Sequence, residues 1–456
     1  MPFPVWLISA FVLALIGCGT SGLSYLDGVS EPPDTQIAAG LTHVVESAQP
    51  YLRIFSHRLG GGPAPAPVNV RSDSILTGCG QWQTTIDLRL QYDIESGRWF
   101  YMGAQTNPGA WCLAVSNTGD PTGAWTNVVI PVAPGQHPDY PSLSISSDKV
   151  VLTGQLVGSP GPGMPLGPAV LVLTKSDLLN GGIVNAQYFA PGTLASPGFL
   201  VAVRTSSQRD DFSGVFLASL DLPCSSCDYS QLRLWLLVGL PGVGPGVTWL
   251  AFDYVIGRRT LPPAAPQAGS TQYIDTLDGR ITDAIIDQTP PLYRIWVASN
   301  GKCVPNGDSS PRACLSLMSI KGLPPYLYPG FESEINYGIT GKYVYAPAMA
   351  MNANHDLLVV FNQSSTDEYP SIYATGRRDT DPIGELRVPA HRLKAGVASY
   401  QYGSGFGVAR WGDVSGAAID PRNGLDFWLA AEYADGDVLG GFGTWINNVT
   451  AVDLPP

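Results

Sequence analysis

Charge is what this sequence has least of: only 14% of its 456 residues are Asp, Glu, Lys or Arg, against roughly a quarter in an average globular chain. Long solvent-exposed helices and coiled coils draw on those residues, so neither is expected. Positive charge is the scarcer sign, with Lys+Arg 25 against Asp+Glu 37 and a net charge of −12. Such a surface repels a phosphate backbone, and no nucleic-acid partner is expected. Histidine is scarce too. His43, His57, His137, His355 and His391 are scattered with no HxH or HExxH, which argues against a histidine-built metal centre. No GxSxG elbow and no phosphate-binding P-loop occurs, and no charge-free apolar run reaches the roughly 20 residues of a spanning helix.

Glycine and proline, by contrast, are abundant. Gly 52 and Pro 40 make about a fifth of the chain, while 45% of residues are hydrophobic and 10% aromatic. Many tight turns around a sizeable core point to an all-β protein. The clearest block runs from Ile86 to Val132. Ile86, Leu88, Leu90 and Tyr92 alternate with Asp87, Arg89, Gln91 and Asp93, a period of two that a strand satisfies with one apolar face. Arg98 to Ala104, Trp111 to Asn117 and Ala124 to Val132 follow across turn residues, giving a four-stranded antiparallel meander. Ala346 to Pro389 repeats the scheme, and the Asp120-Pro121-Thr122-Gly123 turn recurs as Asp381-Pro382-Ile383-Gly384. A third block spans Asp413 to Val452, with weaker copies at Tyr140 to Leu173, Phe199 to Val238 and Gly279 to Ile320.

Sheets repeated in this way, each unable to bury both faces alone, imply a radial array. The expected fold is a β-propeller of about six four-stranded antiparallel blades, with five or seven blades, or two β-sandwich domains, as alternatives. The last block shows three clear strands, so Tyr51 to Phe55 is expected to complete it and close the ring. Three regions follow: a signal peptide at 1–17, a lipidated cysteine with a flexible tether at 18–40, and a single propeller domain at 41–456.

The amino-terminal assignment rests on Val5 to Ile16, an apolar run of signal-peptide length. It ends in Leu15-Ile16-Gly17-Cys18, which resembles the lipobox of bacterial lipoproteins. That resemblance implies lipidation at Cys18, a membrane partner through the anchor, and a place in the bacterial cell envelope, at the outer membrane or cell surface rather than the inner membrane. With Cys18 set aside, six of the seven cysteines remain, an even number suited to an oxidising compartment. Fifteen pairings are open in principle, and proximity favours Cys79–Cys112, Cys224–Cys227 and Cys303–Cys314.

Ser116 to Trp125 (SNTGDPTGAW) resembles the Asp-box turns of sialidase-type propellers, with the glycine one residue late. The segments DPTG, DYP and RWGD are similar to those of uncharacterised bacterial exported propeller proteins, a resemblance that implies a fold and no chemistry. Propeller sites lie on the axis, and the residues expected there are Asp87, Arg89, Asp139, Tyr140, Asp283, Arg410, Trp411 and Asp413. Convergent carboxylates could hold an axial or structural Ca2+ or bind sugar hydroxyls, and two of them could act as acid and base. The competing structural role is that these aspartates accept main-chain N–H bonds where blades begin. Trp411 could stack on a ligand and Arg410 grip it, or the pair could fill an inter-blade gap. No arginine triad of sialidase spacing is present. The expected function is binding of a glycan or a cell-surface protein at the axial face by a monomer, without catalysis and without a cofactor. The alternative is a propeller glycoside hydrolase or lyase using axial carboxylates.

Overall fold

The computed structural model describes residues 19–57, 66–158, 164–206, 212–223, 227–288, 293–322, 329–402, 407–436 and, for the backbone, 442–449. The signal peptide, Cys18 and Cys224 lie outside the described residues. Among the described residues, seven antiparallel sheets stand in a closed ring. Six have four strands, and one has four antiparallel strands joined by a short parallel fifth, Arg204–Thr205. The innermost strands, in ring order, are Gln36–Ala39, Thr85–Asp93, Gln136–Ile145, Leu200–Ala202, Ile281–Asp287, Tyr343–Met351 and Gly416–Ile419; the blades are numbered 1 to 7 in that order. The last inner strand packs against the first. The end of the ring where these strands begin is called the upper end below.

All six blocks read from the sequence are blades, and Gln36 to Arg71 supplies a further one, which is the seven-blade alternative. Burial explains the ring. Each pair of neighbouring blades encloses one apolar cluster, such as Leu88, Leu90, Trp99 and Tyr101 of blade 2 against Ala38, Val45 and Leu52 of blade 1. A sheet covered on both faces in this way shields its apolar residues, which a lone four-stranded sheet cannot do. The Asp120 and Asp381 turns both join a third strand to a fourth. In the first, Asp120 Oδ1 accepts the Thr122 N–H at 2.9 Å and the Thr122 hydroxyl at 2.7 Å.

Two assignments at the amino terminus are corrected. Tyr51–Ser56 is the third strand of blade 1, not the strand that closes the ring. Closure comes from Gly19–Ser24, which pairs antiparallel with Phe442–Val449 as the outermost strand of blade 7. The segment read as a flexible tether is therefore part of the domain: Leu23 and Val29 are buried, and Arg53 pairs with Asp27 at 2.9 Å. Small polar residues hid this, because an outer edge strand needs main-chain pairing more than apolar side chains. Cys79–Cys112 and Cys303–Cys314 form the expected disulfides, with Cα separations of 6.2 and 5.8 Å, and Cys227 is disulfide-bonded.

Candidate functional site

The inner strands do not start cleanly. A bulge interrupts the register between Ile86 and Arg89, between Asp139 and Ser142, between Ile281 and Asp283, and between Tyr345 and Ala348. Asp87, Tyr140 and Ala346 sit in the bulges of their strands with φ of +54°, +47° and +53°, and Asp34, just before blade 1, has φ +47°. A β-bulge re-aims side chains and frees main-chain groups from the ladder. The freed N–H groups are taken by side chains of neighbouring blades.

That exchange forms a belt of inter-blade clips. Asp87 Oδ2 accepts the Tyr140 N–H at 2.9 Å, and Gln49 Oε1 accepts the Asp87 N–H at 2.9 Å. Asp34 Oδ1 accepts the Asp413 N–H at 2.8 Å. Asp283 Oδ2 accepts the Met349 N–H at 2.8 Å, Asn300 Oδ1 the Ala346 N–H at 2.9 Å, and Ser142 Oγ the Ala202 N–H at 2.6 Å. Blade is tied to blade by a polar side chain reaching a backbone that its own sheet leaves unpaired.

Of the expected axial residues, Asp87, Asp283 and Asp413 thus take part in the belt. Asp283 also receives both Nε and Nη2 of Arg204, at 3.0 and 2.8 Å. Asp413 is ion-paired with Arg410, whose Nη1 also donates to the Trp411 carbonyl at 2.9 Å. Asp139 is half-buried beside them, in register with Gln155. Arg89 is buried and lies over the Tyr140 ring at 5.8 Å, and the Tyr140 hydroxyl donates to the Ile281 carbonyl at 2.8 Å. Of the two roles weighed for Trp411, stacking on a ligand is corrected and the packing role holds. Its ring is 1% exposed, its Nε1 donates to Asn362 Oδ1 at 3.1 Å, and it meets Tyr400 edge-on at 4.8 Å, so it fills a core and has no face to offer.

The electrostatics follow from crowding acids under cover. Burial pushes Asp87 up to about 6, opposed by Arg89 and assisted by Asp139 and Asp413. Asp34 is raised well above the carboxylate range by burial, with Asp413 and Asp87 adding to it. Glu432, which accepts the Gly412 N–H, is also raised well above by burial, and Glu31 is raised by burial to about 7. Asp34, Glu31 and Glu432 were missed because only their packing, not their sequence context, marks them. Among the described residues no group of three His, Cys, Asp or Glu side chains is placed to hold a metal ion.

Below this belt the axis holds a cavity of about 130 Å³, room for on the order of ten water molecules. Its polar lining includes Gln36, Arg89, Gln91, Ser142, Arg204, Thr282 and Asp283. Arg89, Tyr140 and Asp283 are the expected site residues that reach it; Asp87, Asp139, Arg410, Trp411 and Asp413 do not line it. Val203 to Ser206, which no motif marked, crosses the far end. The Ser206 N–H donates to the Ile286 carbonyl at 2.9 Å and the Ser206 hydroxyl to the Met351 carbonyl at 3.1 Å, while the Ser144 hydroxyl donates to the Val203 carbonyl at 2.7 Å. This segment ties the lower ends of blades 3, 5 and 6.

No protein-family model matches the chain, and no curated protein matches it. Solved structures similar to it at low identity include glycoside hydrolases and polysaccharide lyases. A protein of unknown function from Dyadobacter fermentans is 9% identical, with 94% of this chain and 99% of that one covered and a TM-score of 0.40. An α-L-arabinofuranosidase of Fusarium graminearum in complex with an iminosugar inhibitor is 10% identical over 83% and 96%, with a TM-score of 0.40. An ulvan lyase is 12% identical over 95% and 96%, with a TM-score of 0.39.

Proposed function

We propose that this protein is a lipid-anchored, extracytoplasmic propeller that binds a glycan in its axial cavity without cleaving it. One observation carries the reading: Asp87 and Asp283 spend their carboxylates on the main chain of the next blade, and Asp413 is held by Arg410. A general acid or nucleophile must be free to reach substrate, whereas these groups are committed to holding the ring. What remains on the axis is a cavity lined by amides, hydroxyls, the Arg89 guanidinium and the Arg204–Asp283 ion pair, a donor and acceptor set that sugar hydroxyls satisfy. Its size suits a saccharide unit better than a folded protein surface, which supports a glycan over a cell-surface protein. The anchor is carried by the lipobox-like Leu15-Ile16-Gly17-Cys18.

The second reading, a hydrolase or lyase, is favoured by Asp87, whose pKa of about 6 beside Asp139 and Asp413 would suit an acid. A glycan array separates the two. Soluble Cys18→Ser protein is expected to retain a defined set of oligosaccharides, and Arg89→Met is expected to lose them at least tenfold. Retention of nothing on the array, or binding indifferent to Arg89→Met, overturns the proposed site. Product release that Asp87→Asn abolishes supports the enzyme instead.

A further inference from the structure

The ring's closing strand fixes how an anchor at Cys18 would hold the molecule. Gly416 pairs with Ala430 and Ile419 with Phe427; Phe427 pairs with Val449 and Ala434 with Phe442; Gly19 pairs with Asn447 and Ser24 with Gly443. Followed outward across blade 7, these registers put Gly19 at the lower end, where the inner strand finishes, and Ser24 at the upper end. Cys18 is bonded directly to Gly19, so only one peptide link separates the lipidation position from a paired strand. The strand is well held. The Leu23 N–H donates to Glu46 Oε2 at 2.9 Å, Arg53 donates to the Gly22 carbonyl, and the Ser24 and Asp27 side chains cap the turn that follows.

We infer that, with an acyl chain on Cys18, the propeller lies with its lower end against the bilayer and its upper, acid-rich belt turned away from it. The inference rests on the anchor in the reading above and adds what that reading leaves open, the orientation of the domain. A flexible tether over residues 19–40, as the sequence alone suggested, would span about 25 Å as a random coil and leave the domain free to tumble. A paired strand does not. The blades are 9 or 10 residues tall in their longer strands, about 30 Å at ~3.3 Å per residue, so the two ends differ clearly in distance from the membrane. Leu41 and Ile383, 47% and 59% exposed in turns of blades 1 and 6 at the lower end, flank blade 7; Leu261 and Val397, 58% and 60% exposed, lie in connections at the upper end.

The test uses the full lipoprotein purified from membranes and returned to vesicles of phosphatidylethanolamine and phosphatidylglycerol. Intact-mass analysis first establishes the acyl chain on Cys18. Single fluorophores at Leu41→Cys, Ile383→Cys, Leu261→Cys and Val397→Cys are then exposed to nitroxide-labelled lipid. Probes at 41 and 383 are expected to be quenched at least threefold more than those at 261 and 397, and a 15-residue Gly/Ser insertion between Cys18 and Gly19 is expected to erase the difference. Equal quenching of acylated protein, the reverse order, or an asymmetry that survives the insertion overturns the orientation while leaving the anchor standing. A mass without acyl groups removes the anchor, and the orientation with it.

Discussion

Replacing Asp87 by asparagine should strengthen the fold at neutral pH, against the usual expectation for a residue at a candidate site. The carboxyl is raised from 3.8 to about 6, chiefly by burial. At a pH above both values such a shift costs the folded state about 3 kcal/mol, and solvent reaching the half-buried group reduces that to about 1–2 kcal/mol. The folded protein holds this proton more tightly than the unfolded chain. Stability from protonated Asp87 is therefore complete below about pH 4 and is lost as the pH rises through 6. Asparagine keeps an acceptor for the Tyr140 N–H and tolerates the left-handed φ of +54°, but carries no charge at any pH. Denaturant titrations at pH 4.5, 6 and 8 are expected to show Asp87→Asn near wild type at the lowest pH and about 1–2 kcal/mol more stable at the highest. Asp87→Ala, which leaves the Tyr140 N–H without its acceptor, is expected to lose about 1–3 kcal/mol at pH 4.5. Glu31, raised to about 7, gives a slope of the same sign that persists in both variants. An Asp87→Asn protein weaker than wild type at pH 8, or a gap that does not change with pH, would refute the claim that this carboxyl serves as an inter-blade clip.

Three further outcomes test the architecture. Gly109→Ala puts a Cβ 1.8 Å from the Gln136 carbonyl oxygen, where blade 2 meets blade 3; it is expected to cost at least about 3 kcal/mol, while Gly182→Ala, with open space around it, stays near neutral in the same denaturant midpoint assay. Removing Cys79 and Cys112 together opens a link across 33 residues and is expected to cost about 4 kcal/mol by chain entropy, read as a midpoint difference that reduction of the wild type approaches. Asp283→Ala strands the Arg204 guanidinium and the Met349 N–H at once and is expected to lose about 3 kcal/mol, with Asp283→Asn losing less because it retains an acceptor.

The blades were legible because their signal is local. Alternation around Leu88 and Leu90 and turns such as Asp120-Pro121-Thr122-Gly123 need no distant partner to be recognised. Blade 1 was not, since Gln36–Ala39 is short and its neighbours were claimed for other roles. Ring closure was misplaced for a physical reason: pairing of Gly19–Ser24 with Phe442–Val449 spans nearly the whole chain and leaves no side-chain periodicity. The axial aspartates were found as residues opening inner strands, and the structural role weighed for them, accepting main-chain N–H bonds, is what Asp87 and Asp283 do; the bulge at Asp87 is what alternation cannot reveal. Ile86 shows the limit of the pattern, because the bulge at Asp87 takes it out of phase with Leu88 and Leu90. Arg410 and Trp411 read as a site from chemistry alone, and packing assigns Trp411 to the core.

The central claim is that the axial cavity binds a sugar while the belt aspartates hold the blades together. Isothermal titration of wild type and Arg89→Met with the best oligosaccharide from the array, with the same samples assayed for reducing ends or unsaturated products, tests it most directly. Saturable binding lost in Arg89→Met with no product formed is the predicted result. Products that accumulate with wild type and vanish with Asp87→Asn, or an absence of binding to any oligosaccharide, would contradict it.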